Sequence, residues 1–291
     1  MINIKKELLK TARNSIRLNI GGAAGGAELK LGATRFGGRP DVPDDFKWAY
    51  YEGAGMFGGE VKSRPLSFLA QFDLEEITEY DTENLLPKTG VLSFFYELES
   101  QTQSYDPDEK GFARVYWFED KSALHTAEFP DDLGANKPGF DYRLPTLKIT
   151  AKSEKSYQSY PDFLLQRAKL VENWEEFEAA QKSIGIAAES NLSKLLGWAN
   201  PFQDNMTIQC ELLSRGYYLG DREGRSEVTQ LDRQEAEQWS AQDWLPLFQL
   251  DTVTDGDFKL MFGDLGRIYF YIRRDDLAAR NFDDVWIFLQ S

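Results

Sequence analysis

The 291-residue sequence predicts an α+β, β-rich protein, with antiparallel sheets built from an internally duplicated strand–loop–strand unit and with peripheral helices. Three observations lead there. Runs dense in aromatic and β-branched residues follow one another without helices between them, which argues antiparallel pairing rather than a βαβ series. Helical periodicities gather in the middle of the chain. Two distant segments also share an apolar run that ends in Gln-x-Asp.

Taken in order, the first element is a helix over about residues 3–13. Ile4, Leu8, Ala12 and Ile16 fall on one face of it, and Lys6, Lys10, Arg13 and Arg17 on another. A membrane-surface helix or a transit peptide would want a broader apolar face with an aromatic anchor, so this one reads as a helix capping the domain. The run from Gly21 to Gly26 breaks regular structure, and the Gly- and Pro-rich residues 32–65 read as a long ordered loop. Strands are expected at 65–73, 91–98, 114–118 and 142–151, with Pro145 placing the last at an edge or a start. Asn173 can cap a helix over 174–184, and Asp232 opens another over 232–244, with Glu235 completing a capping-box-like pair. Strands return at 244–251, 258–262 and 267–272, and a short helix over 274–280 precedes a strand at 285–290. No flexible or charged linker separates two parts. The chain therefore reads as a single domain, 1–291, with repeat halves of about 30–150 and 190–291.

The repeat is an ordered match. Residues 65–73 (PLSFLAQFD) align with 244–251 (WLPLFQLD), and Gly90-Val91-Leu92-Ser93-Phe94-Phe95 aligns with Gly266-Arg267-Ile268-Tyr269-Phe270-Tyr271. A glycine turn with a nearby proline lies upstream of each: Gly37-Gly38-Arg39-Pro40, and Gly197 four residues before Pro201. The physical reading is two copies that pack to bury one shared core.

These residues also carry a family resemblance. The pieces are Phe36-Gly37-Gly38-Arg39-Pro40-Asp41-Val42-Pro43, the run 65–71, Leu86-Pro87-Lys88-Thr89-Gly90, Lys194-Leu195-Leu196-Gly197 and Gly263-Asp264-Leu265-Gly266-Arg267. In their order, from about residue 30 to the C-terminus, the chain resembles the YwqG family, also known as the domain of unknown function 1963. The resemblance implies a β-rich, internally duplicated fold found largely in bacterial cytoplasm, and it implies no reaction. Ser193 stands where relatives often have a histidine, and Phe262 where they often have a tryptophan.

Composition excludes several chemistries. With 33 basic and 48 acidic side chains the net charge is −15, which opposes broad binding of a nucleic-acid backbone. One histidine, His125, and one cysteine, Cys210, cannot supply a zinc site of three or four N/S ligands, and a lone cysteine makes no disulfide within the chain. Gly53-Ala54-Gly55-Met56-Phe57-Gly58 has the letters of a dinucleotide loop, but only six residues separate it from Pro65 and the next strand, too few for a crossover helix. Asp251, Asp255 and Asp257 hint at calcium but lack the twelve-residue loop, so they read as a solvated turn. Cys210, near Met206 and Ile208, reads as a core residue, and His125 as a solvated or hydrogen-bonded side chain. No metal and no cofactor is expected.

What remains is the repeated Gln-x-Asp. A buried glutamine must satisfy both a donor and an acceptor, so Gln71 and Gln249 are expected to fix loops such as 36–43 and 197–203, with Gly37, Gly38, Pro40 and Gly197 as turn residues. The alternative is a shared cleft lined by Gln71, Asp73, Gln249, Asp251, Asp264 and Arg267. The charge is uneven: eight bases lie in residues 1–40, and eleven acids lie in 73–109 against Lys88 alone. The reading that follows is a cytoplasmic, non-enzymatic binding protein for a basic protein partner, with no nucleic-acid or membrane partner. The alternative is a carboxylate-based hydrolase acting on a carbohydrate-like ligand, which needs two carboxylates about 5–10 Å apart.

Overall fold

A computed structural model describes residues 4–23, 29–55, 58–103, 105–134, 141–186 and 191–291. Helix α1 (Ile4–Leu9) is shorter than the expected 3–13, because the strand β1 (Arg13–Ala23) takes the rest. Ile16 and Leu18, two apart and fully buried, obey the strand period, so the apparent helical face mixed two elements. Ile4 and Leu8 still dock inward, onto a cluster with Phe163, Val171 and Phe177. The glycine run does not end the strand. β1 continues through a bulge between Ile20 and Ala23, and Ala24-Gly25-Gly26 lie outside the described residues.

Residues 32–65 are not a loop. They hold β2 (Arg35–Phe36), β3 (Asp41–Pro43) and the hairpin of β4 (Tyr50–Gly55) with β5 (Gly58–Pro65). The dinucleotide-like letters lie at the tip of that hairpin, where Gly55 pairs with Gly58 and a strand follows instead of a helix. Met56 and Phe57 lie outside the described residues. Then come β6 (Ser67–Asp73), α2 (Leu74–Ile77), β7 (Val91–Tyr96), β8 (Ala113–Phe118) and β9 (Leu124–Thr126). The strand expected at 142–151 is β10 (Leu147–Ser156). It starts beyond Pro145, which has no N–H for the ladder, and lies inside the sheet between β1 and β2.

The helical middle comprises α3 (Tyr160–Arg167) and α4 (Trp174–Ser183), interrupted by β11 (Lys194–Leu195), then α5 (Met206–Ser214), α6 (Arg222–Glu227) and α7 (Gln230–Asp243). Asn173 caps α4 as expected, accepting from the Glu176 N–H. Helix α7 starts earlier than expected: Thr229, not Asp232, is its cap, and the Thr229 hydroxyl accepts from the Asp232 N–H at 3.1 Å. Asp232 is thus the third helical residue of a capping box rather than its first member. Cys210 lies on α5 one turn after Met206, fully buried against β12 and β15. His125, on β9, has its Nδ1 3.2 Å from Asp44. The chain closes with β12 (Trp244–Leu250), β13 (Val253–Asp255), β14 (Phe258–Leu260), β15 (Arg267–Arg273), α8 (Arg274–Ala279) and β16 (Trp286–Gln290).

Among the described residues, ten strands form one antiparallel sheet in the order β16–β15–β12–β11–β1–β10–β2–β6–β7–β8. Its two halves match outward from the β1–β10 pair: a two-residue strand, then a long strand with a bulge, then two more. The bulges fall between Phe68 and Ala70 in β6 and between Pro246 and Phe248 in β12. Alternate side chains of β15 go to opposite faces. Ile268, Phe270 and Ile272 enter the main core, while Tyr269 and Tyr271 lie under α5 and α7. The main core joins the two halves through Phe94, whose ring lies 5.8 Å from Phe72, 4.7 Å from Phe248 and 5.2 Å from Phe270.

Phe94→Ala should therefore lower the unfolding free energy by about 3–5 kcal/mol in urea titrations, the usual cost of emptying a buried phenylalanine site. A loss under about 1 kcal/mol would mean that this ring does not tie the halves together.

Candidate functional site

The two glutamines are fully buried, and each holds a loop to the sheet. On β6, Gln71 Oε1 accepts from the Asp41 N–H at 3.0 Å, while Nε2 donates to the Ala33 carbonyl at 3.0 Å and to Asp41 Oδ2 at 2.8 Å. Arg35 Nη1 and the Gly32 N–H also donate to Asp41 Oδ2, each at 2.8 Å, and the Thr126 hydroxyl donates to Oδ1. Burial alone pushes the Asp41 carboxyl upward. The hydrogen bond and charge of Arg35, with the bonds from Gln71 and Gly32, outweigh it and hold Asp41 below the usual carboxylate value.

On β12 the same arrangement recurs with other side chains. Gln249 Oε1 accepts from the Asn200 N–H at 2.9 Å, and Nε2 donates to the Leu192 carbonyl at 2.6 Å and to Asn200 Oδ1 at 3.3 Å. Lys194 Nζ donates to that same Oδ1. Ala33, Arg35 and Asp41 thus correspond to Leu192, Lys194 and Asn200 at equal spacing. Thr34 accepts from the Asp73 N–H at 2.9 Å, and Ser193 accepts from the Asp251 N–H at 3.1 Å. The turns match as well, with Gly37 and Gly38 at φ 59° and 69° and Leu196 and Gly197 at 59° and 78°. A side chain at Gly38 would strike Thr146, and one at Gly197 would strike Ser156, so both positions require glycine for space as well as conformation. Pro40 carries the turn onward, its carbonyl accepting from the Ala127 N–H.

The aspartates that follow the glutamines differ. Asp73 caps α2 through the Glu75 N–H, and both its oxygens lie 2.9 Å from Lys121 Nζ, which also reaches Glu75 at 2.8 Å. Asp251 accepts from the Leu192 N–H at 3.0 Å and from its own neighbour Thr252 at 2.8 Å. Arg267 Nε lies 2.9 Å from Asp251 Oδ2, a charge contact not aligned as a hydrogen bond. The guanidinium stacks on Phe202 at 4.0 Å and donates from Nη1 to the Asn200 carbonyl at 3.1 Å.

The six candidate residues therefore do not form one cleft. Gln71 and Gln249 are spent inside their own loops, Asp73 is paired through both oxygens with Lys121, and Asp264 is exposed in the turn before β15. Asp251 and Arg267 do converge. They line an open cleft of about 430 Å³ with Ile20, Asn191, Thr252, Thr254 and Leu265. Leu265 is half exposed and held at φ 57°, an uncommon conformation for a leucine and one that marks the rim. Asp251 is the only carboxylate in this lining. Asp255 and Asp257 sit at the tip of the β13–β14 hairpin, where Asp255 Oδ1 accepts from the Gly22 N–H. A larger cleft of about 610 Å³ lies beside Arg13 and Lys155, but its two carboxylates are engaged, Glu83 by the Asn14 N–H and Glu154 by Arg17.

The acidic stretch 73–109 is divided: Glu75, Glu76, Glu79, Glu83, Asp108 and Glu109 are exposed, whereas Asp73, Asp81 and Glu97 are buried. Glu97 accepts from the Glu99 and Ser100 N–H groups, Glu99 pairs with Arg64, Asp81 accepts from the Leu86 N–H, and Glu109 accepts from the Tyr51 hydroxyl. Sequence reading missed Arg35, Asp41, Lys194, Asn200, Lys121 and Phe202. The first four had a signal, the common five-residue gap from the base to Asp or Asn. Lys121 and Phe202 had none, because their roles come from tertiary approach.

Residues 34–291 match the family described as Domain of unknown function (DUF1963), and the chain belongs to that family. No curated protein matches it.

Gln249→Leu and Gln71→Leu should each destabilise the chain by about 1–3 kcal/mol, because a buried N–H and a carbonyl lose their partner. A cost near zero in urea unfolding would show that the glutamines do not hold the loops. Asp41, depressed in the folded chain, adds stability that is fully present above its unfolded value of 3.8 and is lost as pH falls through the lower folded value. Asp41→Asn should flatten that acid limb of the stability profile.

Proposed function

We propose that the protein is a non-enzymatic binding protein that meets a basic protein through the cleft beside Asp251 and Arg267. The observation that supports this over hydrolysis is the state of its carboxylates. Only one lines the cleft, and it is in contact with a guanidinium, whereas glycoside hydrolysis needs a second carboxyl across the scissile bond. The net charge of −15 favours encounter with a cationic partner, and Asp257 and Asp264 keep exposed charge beside the cleft. No helix among the described residues is long and apolar enough to cross a membrane. A cytoplasmic site of action belongs to the same proposal and rests on the lone cysteine, which gives the chain no internal disulfide.

Two measurements decide between the readings. Immobilised protein should retain a basic protein from extract at low salt, and retention should fall with added salt and on Asp251→Asn. Release of reducing sugar from a panel of polysaccharides should stay at the buffer rate. Sugar release that Asp251→Asn abolishes would overturn the binding reading in favour of the hydrolase.

A further inference from the structure

We propose that the 430 Å³ cleft receives the primary ammonium group of a lysine side chain on Asp251, as the chain's own Lys121 is received on Asp73 in the other half of the sheet. The inference rests on the binding reading above and names the group that is bound.

The two aspartates occupy matching places. Each follows a buried glutamine by two residues, and each has its N–H accepted by a loop hydroxyl, Thr34 or Ser193. In the first half Lys121 stands over the carboxylate and holds both of its oxygens. The Lys121 stem runs against Gly32, where an added Cβ would lie 3.3 Å from its Cδ and 3.0 Å from Val91 Cγ2. The lysine comes from a short 3₁₀ turn, Lys121–Ala123, that follows β8. In the second half Asn191 and Arg267 take the sequence positions of Gly32 and Val91, and both line the open cleft, with the Asp251 side chain, 6% exposed, at its floor.

Chemistry selects an ammonium. A carboxylate offers about four lone-pair directions. Asp251 gives one to Leu192, one to Thr252 and a misaligned one to Arg267, which leaves a site for a further point donor. An arginine would need both oxygens free in one plane for its bidentate fork, and the Arg267 guanidinium already lies along one of them. The apolar rim of Ile20, Val253 and Leu265 suits the methylene stem of a lysine whose charged end goes deep.

The test titrates the full chain with Nα-acetyl-lysine N-methylamide, its Nε-acetylated form and the arginine counterpart, following NMR shifts of Thr252, Thr254 and Leu265. The lysine amide should give saturable shifts at these residues, with the acetylated form weaker by roughly tenfold or more, since one partner of a charge pair is lost. Asp251→Asn should remove the response. Because that variant also loosens Leu192, Thr254→Lys serves as the second variant: it brings an ammonium to the cleft from an exposed lining position and should block the amide with the fold intact. Equal shifts from the lysine and acetylated amides, or no shifts at these residues, would overturn the lysine site. Retention of the basic protein by both wild type and Thr254→Lys would likewise overturn it while leaving the binding function standing. Failure of wild type to retain any basic protein counts against the binding function, and the amide titration still judges the cleft.

Discussion

A loop laid against a sheet brings backbone N–H and carbonyl groups out of water, and each must find a partner. In this protein one side chain meets that demand for each half. Gln71 serves the loop around Ala33 and Asp41, and Gln249 the loop around Leu192 and Asn200. A glutamine amide has both a donor and an acceptor at the end of two methylenes, so it can bridge a carbonyl and an N–H eight residues apart in the loop. The rest follows from that clamp. The clamped loops supply β2 and β11, the two-residue strands that connect each outer set of strands to the central β1–β10 pair.

Once the loops are pinned, the polar groups around them differ between halves. The first uses a buried ion pair, Arg35 with Asp41, whose charges are both satisfied. The second uses an ammonium and a neutral amide, Lys194 with Asn200. A buried ion pair needs every lone pair occupied to offset its desolvation, and the first loop is accordingly fastened by Thr126 of β9 as well. The second needs less, and its Asn200 carbonyl is left to accept from Arg267 and the Tyr269 hydroxyl. We propose internal duplication as the source of the matched spacing, with the charge pattern changed after it.

Local pattern made much of this legible. Strands β6, β7, β12 and β15 declare themselves through aromatic and β-branched runs, and Gln71 and Gln249 through their shared setting. Two kinds of feature were not legible. Residues 32–65 hide four strands, because glycine and proline lower strand propensity whereas pairing with β6, β9 and each other decides the outcome. The start of β1 was read as helix because Ile4, Leu8, Ala12 and Ile16 keep a helical spacing across an element boundary. At the candidate site, Asp251 and Arg267 were identifiable as a pair sixteen positions apart, but Leu265 and Phe202 were not, since an exposed apolar residue looks the same in any turn. The acidic stretch was legible in part, with Glu75, Glu76, Glu79 and Glu83 exposed as its charge suggests. Composition counts charges, and only structure says that Glu97, Glu99 and Asp81 face their own backbone and Arg64.

The contrast between Lys121 and Arg267 carries the functional argument furthest. Lys121 reaches Asp73 from outside the sheet and holds both of its oxygens. Arg267 reaches Asp251 from within β15 and lies flat on Phe202. A cation supplied along the strand meets its aspartate beside a cleft, whereas a cation supplied from a separate turn stands over its aspartate. The two halves therefore reach similar charge balance at Asp73 and Asp251 with different geometry: the Asp73 side chain keeps 12% of its exposure beneath Lys121, and the Asp251 side chain keeps 6% at the floor of a cleft rimmed by the exposed Leu265.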